Sequence, residues 1–163
     1  MIAGSTDFKR IALGAAGGLV GTLAIQSLLA ASQKRAPSTL PPIREDPGKF
    51  MVERAERVLP AQVRRRVPHA AETAMAKVLG MGYGVSFGAL YAGLRPRVHM
   101  PIVDGFLLGV AAWAAGYLGW LPALGLMPPV WKHKPKAAAA QIAEHAAYGL
   151  ATVATIDWLA EHV

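Results

Sequence analysis

Four long apolar windows run along the chain, separated by short polar segments. They are "IALGAAGGLVGTLAIQSLLAA" at 11–31, "AMAKVLGMGYGVSFGALYAGL" at 74–94, "IVDGFLLGVAAWAAGYLGWL" at 102–121, and a fourth over 137–160. A helix rises about 1.5 Å per residue, so roughly 20 residues reach about 30 Å, one hydrocarbon core. Helices on a soluble bundle would each show a charged face, and these windows are almost free of charge. The pattern predicts an all-α fold: a single membrane domain, 1–163, built as an integral bundle of four transmembrane helices. The second and third are joined by the short turn "RPRVHMP".

The first loop, 32–73, is the one sizeable segment outside the windows. It opens with "APSTLPPIREDPG", whose prolines forbid a continuing helix. In "KFMVERAERVL", Phe50, Met51, Ala55, Val58 and Leu59 fall near helical spacing against Glu53, Arg54, Glu56 and Arg57. That predicts a short amphipathic helix in the membrane interface, its basic side toward the headgroups. The plainer account is a solvated connector. Lys9 and Arg10 before the first window and "LLAAS" after it imitate a signal peptide. The apolar run is long for a signal core, however, and Gly14, Gly17, Gly18 and Gly21 suit a packing helix, so an uncleaved first helix is expected.

Composition agrees with the pattern. Of 163 residues, 53% are hydrophobic and 17% charged, against roughly 25% charged in soluble domains. Mean hydropathy is +0.32. There is no cysteine, which excludes disulfides and Cys-ligated metal. The net charge of +7 comes without a nucleic-acid-binding motif, so no nucleic-acid partner is expected. Basic loops instead suit anionic headgroups of a lipid bilayer. The first and third loops hold Lys34, Arg35, Arg44, Lys49, Arg54, Arg57, Arg64, Arg65, Arg66, Lys132, Lys134 and Lys136. The other side holds Lys9, Arg10, Arg95 and Arg97. This imbalance predicts cytoplasmic loops and both termini outside. Lys77 can snorkel to the basic side, and Trp120, Trp131 and Trp158 fall near helix ends.

Small residues recur at four-residue spacing: Gly14–Gly18 and Gly17–Gly21, then Gly80, Gly84 and Gly88, then Gly105–Gly109 and Ala112–Gly116. In lipid, such faces let backbones approach closely. They predict tight helix packing, either within one chain or with a second copy or another membrane protein.

The fourth window carries the candidate chemistry. Gln141, His145, Tyr148, Thr152 and Thr155 form a stripe at helical spacing, and Glu144 flanks it. A stripe of this kind faces protein or water, because unsatisfied polar groups in hydrocarbon are costly. Three accounts stay open. The stripe can hydrogen-bond to neighbouring helices. Glu144 and His145 can form a protonatable site with Tyr148, lined by Tyr83, Tyr91, Tyr117 and Gln26, with Asp104 toward the opposite side. Or His145 can ligate haem or metal, although His69, His99, His133 and His162 all lie outside the windows. No cofactor or metal is expected. No HExxH, P-loop, nucleophile elbow or GxGxxG is present, so an enzyme is not expected. Pro122, Pro128 and Pro129 break the helix in "LPALGLMPP", leaving either a compact loop or a short re-entrant hairpin over 122–130.

"GALY", "YLGWLPALGLMPP" and "IAEHAAYG" together resemble the YagU-like family of small bacterial inner-membrane proteins of unknown function. The likeness runs from the second window to the C-terminus, and the Pro-rich "LPPIREDP" is similar in kind. It implies a multi-pass protein of the bacterial inner membrane, with periplasmic termini on the charge count and no established catalytic activity. Family members can end in a basic tail, whereas this chain has no Lys or Arg after Lys136. The expected role is a non-enzymatic structural or accessory membrane component. The alternative is a small proton-linked channel or transporter using the Glu/His site.

Overall fold

The structure, a computed structural model, describes residues 3–58, 60, 62, 68–95 and 100–163. Arg64, Arg65, Arg66, Leu59 and most of the "RPRVHMP" turn, with Arg97 and His99, lie outside the described residues. Among the described residues the fold is all-α, with no strand. Helix α1 spans Ala3–Arg35, α2 Pro47–Arg57, α3 His69–Leu94, α4 Pro101–Ala114 and α5 Pro135–His162. Each predicted window is helical, and the helices outrun the windows because backbone hydrogen bonding continues where apolar content stops.

Proline sets several starts. Pro47, Pro101 and Pro135 sit at the first turns of α2, α4 and α5, where a missing N–H costs nothing. Asp46 caps α2 by accepting from the Lys49 backbone N–H at 2.9 Å. Helix α4 does not end cleanly. It widens into a π-turn over Ala115–Trp120, where Gly119 leaves helical geometry at φ −97°, ψ −111°. One more helical turn, Leu121–Ala123, leads to Gly125 at φ +74°, a left-handed conformation that favours glycine.

Glycines decide which helices meet. α1 lies between α3 and α5, and α5 lies between α1 and α4. One face of α1 carries Gly14 and Gly18 against Gly84 and Gly88 of α3: a Cβ on Gly88 would stand 2.7 Å from Gly18 Cα. The adjacent face carries Gly17 and Gly21 against α5, where Cβ atoms would reach Thr152 O at 2.7 Å and Tyr148 O at 2.6 Å. Gly105 and Gly109 of α4 pack on α5 at Leu150 and Ala146, and Gly149 of α5 answers them. Gly80 of α3 takes no part in the packing within this chain. It is exposed, and a Cβ there would meet nothing within 4 Å. The α1–α3 glycine contact runs from Gly14–Gly88 to Gly18–Gly84 and stops short of it. α3 and α4, though consecutive, scarcely meet backbone to backbone. Tyr83 and Tyr91 bridge them, donating to Ala112 O at 2.7 Å and to the Asp104 carboxylate at 3.0 Å.

α2 exists as a short helix, and it docks on α3 through a glycine. Gly48 and Val52 are buried, with Gly48 against the backbone at Ala76 of α3. Phe50 reaches the cluster of Trp113, Tyr117, Leu121, Leu126 and Met127. Met51, Ala55 and Val58 point outward. The glycine lets α2 approach closely enough to bury Val52 one turn later, which leaves Met51, Ala55 and Val58 free of the bundle. The segment 122–130 folds as a compact loop. Leu126 and Met127 are each 2% exposed, and Leu126 O accepts from Arg44 N at 2.8 Å.

Two helical stretches, Phe8–Arg35 and Pro101–Ala123, are long and apolar enough to cross a membrane, and both are mostly unburied. α3 and α5 dilute their apolar content with Gly, Ala, Tyr and Thr and with Lys77 or Gln141, Glu144 and Asp157. Large apolar side chains nonetheless stand exposed on every long helix, among them Leu23, Val78, Leu90, Phe106, Leu107 and Leu150.

Candidate functional site

The inward stripe of α5 runs through Ala137, Gln141, Glu144, Tyr148, Thr152 and Ile156. Gln141 and Thr152 are fully buried and Glu144 is 7% exposed. The sequence pattern put His145 in the stripe and Glu144 at its border. The structure places Glu144 in the stripe, facing α1, and His145 half-buried toward α4. Steps of three and of four both keep roughly to one helix face, so spacing alone does not choose between neighbours. The choice is made by Gly109, which packs on the His145 backbone carbonyl and brings α4 to that side. Thr155 is also half-buried and donates to Ala151 O at 2.7 Å.

Glu144 and His145 share no hydrogen bond. Ser32, at the end of α1, donates to Glu144 Oε1 at 3.1 Å. His145 Nδ1 donates to Gln141 O at 2.8 Å, and its ring meets the edge of Tyr117 at 5.4 Å. Tyr148 donates to Gly84 O of α3 at 2.6 Å, and Thr152 donates to Tyr148 O at 2.8 Å. Thr22 of α1 turns its hydroxyl onto Gly18 O at 2.7 Å. Gln141 Nε2 and Trp113 Nε1 are buried without a hydrogen-bond partner. Gln26 is exposed and lines nothing, and Tyr91 belongs to the other end of the bundle.

A hollow of about 70 Å³ lies where the four long helices come together, walled by Thr22, Gly80, Tyr83, Ala112, His145 and Tyr148. A second, of about 170 Å³, lies between α2 and the start of α3, with Lys49, Glu53, His69 and Glu72 on its walls. Among the described residues no group of three His, Asp or Glu is arranged to hold a metal. The described histidines do not gather around His145. His69 pairs with Glu72 at the surface, and His162 stacks on Trp158 near the C-terminus. His133 contacts Pro128 O at 2.8 Å and lies 3.4 Å from Gln141 Oε1.

The opposite end of the bundle holds a charge cluster that the sequence pattern missed. Arg95 at the end of α3 pairs with Asp157 of α5, and Arg10 of α1 donates to Arg95 O at 2.6 Å. Burial alone would ease proton loss from Arg95. The hydrogen bonds to Asp157 and Tyr91 outweigh that and hold its guanidinium more firmly charged than usual. The signal lay in Asp157, a lone acid near the end of an apolar window.

No protein-family model, no curated protein and no solved structure matches this chain.

Proposed function

We propose that the chain is a multi-pass integral membrane protein of the bacterial inner membrane, acting as a non-enzymatic structural or accessory component. In this reading α1, α3, α4 and α5 span the bilayer, and α2 lies at the cytoplasmic interface. The observation that carries it is the polarity of the bundle. Gln141, Glu144, Thr22 and Thr152 are buried, while Phe106, Leu107, Leu23, Val78 and Leu90 face outward. Water would reverse that arrangement, and hydrocarbon favours it. The unpartnered Met51, Ala55 and Val58 of α2, flanked by exposed Arg54 and Arg57, suit a headgroup boundary. Exposed Lys34, Arg35, Lys132, Lys134 and Lys136 sit beside the end of α1 and the start of α5, supporting a cytoplasmic face there.

The test is fractionation and topology in a bacterial host. The protein should stay in the membrane pellet through an alkaline carbonate wash, and a reporter fused after Val163 should read periplasmic. Release by carbonate would overturn the membrane reading, and a cytoplasmic reporter would overturn the orientation. A partner that co-purifies in fixed stoichiometry supports the accessory role.

The buried carboxylate of Glu144 favours a second reading, a small proton-linked channel or transporter. It requires pH-dependent flux in liposomes that the double variant Glu144→Gln, His145→Ala abolishes. Unchanged flux in that variant would sink it.

A further inference from the structure

We propose that the hollow at the centre of the four long helices is a binding site for the hydroxyl head of an apolar-chain alcohol drawn from the membrane. The proposal rests on the membrane reading for the source of its ligand, and on the hydrogen-bond inventory of the walls for its chemistry.

The walls have spent their donors. Thr22 donates to Gly18 O, Tyr83 to Ala112 O and Tyr148 to Gly84 O, at 2.7, 2.7 and 2.6 Å. A hydroxyl has one proton to give, so these three can only accept further, and the Tyr83 oxygen already has the Trp120 indole as a donor. His145 gives its Nδ1 proton to Gln141 O, which as a carbonyl can only accept. In the neutral ring the other nitrogen, Nε2, then carries a lone pair, and it has no hydrogen-bond partner among the described residues. The site therefore offers acceptors and lacks donors. An anion would find nothing to bind its charge, and an alkane would leave the acceptors unused. A hydroxyl supplies the missing donor.

Size and access narrow the ligand further. The hollow, about 70 Å³, is roughly half the engineered cavity of about 150 Å³ that admits benzene, so a ring is too large and a hydroxymethyl head fits. Its wall includes the exposed Gly80, where no atom lies within 4 Å of a Cβ position, so the hollow reaches the surface there. Gly80 stands eleven residues into α3, about 16 Å along it, within the apolar window. An alkyl tail leaving beside Gly80 lies along the apolar exterior of the bundle.

The purified full-length protein in detergent micelles is titrated with 2-bromo-1-octanol, 2-bromooctane and 2-bromooctanoate, which carry the bromine beside the head, at matched mole fractions in the micelle. Bromine quenching of tryptophan is the readout, since Trp120 stands 6.2 Å from the Tyr83 ring. The alcohol should bind at least tenfold more tightly than the alkane, the worth of one hydrogen bond at about 1.4 kcal/mol. It should also bind more tightly than the carboxylate. Gly80→Leu, which fills open space, should abolish saturable quenching. His145→Phe, which removes the acceptor that has no partner, should weaken the alcohol several-fold and leave the alkane unchanged, and an alcohol affinity untouched by it would also overturn the proposal. Equal affinities for alcohol and alkane, a carboxylate bound as tightly as the alcohol, or saturable binding that survives Gly80→Leu would each overturn the proposal. Alcohol binding by a protein that carbonate strips from membranes would refute the membrane reading alone. A protein that stays in the pellet without alcohol selectivity would refute this site alone.

Discussion

Gly80→Ala and Gly88→Ala make the same chemical change on one helix, and the structure gives them opposite signs. In a helix interior Ala is favoured over Gly by about 0.8–1.0 kcal/mol. At Gly80 the new methyl meets nothing within 4 Å, so the variant should gain about 0.5–1 kcal/mol. At Gly88 the Cβ would stand 2.7 Å from Gly18 Cα and 2.8 Å from Gly18 N, where ordinary contact begins near 3.4 Å. Gly14 O lies closer still; all three atoms are backbone and cannot swing aside, so α1 and α3 must part by at least about 0.7 Å (3.4 less 2.7). A gap of that order forfeits about a quarter to a half of the dispersion along the contact, and overpacking of this kind costs about 1–3 kcal/mol. Net of propensity, Gly88→Ala should lose up to about 2 kcal/mol, leaving the two variants about 1–3 kcal/mol apart. SDS-driven unfolding in mixed micelles, followed by far-UV circular dichroism, measures the difference. If Gly88→Ala proves as stable as Gly80→Ala, the backbone-on-backbone contact between α1 and α3 is refuted.

Ser32→Ala removes the hydroxyl that donates to Glu144 and should destabilise the bundle by about 1 kcal/mol in the same assay, with Ser32→Thr restoring most of it. A neutral effect of Ser32→Ala would mean that Glu144 is satisfied elsewhere. Asp157→Asn weakens the partly buried pair with Arg95 and should cost about 1–2 kcal/mol. The loss should persist in high salt, and one that vanished there would identify a solvent-screened pair. Gly125→Ala forces a side chain into a left-handed conformation and should cost about 1 kcal/mol although the space around it is open. An unchanged unfolding midpoint would show that the 121–127 turn relaxes freely.

Elements governed by local sequence were legible. The apolar windows located the long helices. Pro122, Pro128 and Pro129 marked the break after α4, and "KFMVERAERVL" marked α2. What could not be read depends on how helices cross. Gly80 and Gly88 share one spacing, yet only Gly88 is covered, because the glycine face of α1 runs out first. Glu144 and His145 are neighbours, and their roles were separated by the approach of α1 on one side and α4 on the other. Ser32 lies 112 residues from Glu144, and Arg95 lies 62 from Asp157. No periodicity links such positions before the neighbour order of the helices is known. The docking of α2 on α3 was hidden for a similar reason. Gly48 counts for little on a hydropathy scale, yet it sets how closely the helix can dock.

That neighbour order also accounts for the polar stripe. On the membrane reading proposed above, helices gain little from burying apolar surface against one another, so contact must come from close approach and from hydrogen bonds. The glycines of α1, α3 and α4 supply the approach, and close approach brings backbone carbonyls within reach of a neighbour's side chains. Tyr148 of α5 takes Gly84 O on α3, Tyr83 of α3 takes Ala112 O on α4, and Thr22 and Thr152 turn their hydroxyls back onto their own helices. Most polar side chains of the interior are thus consumed in holding four backbones together. Three groups are not. Gln141 Nε2 and Trp113 Nε1 are donors buried without partners, and His145 Nε2 is an acceptor beside the central hollow. A role beyond assembly can draw on those three, on Glu144 and on the lone pairs that Thr22 and Tyr148 keep beside the central hollow.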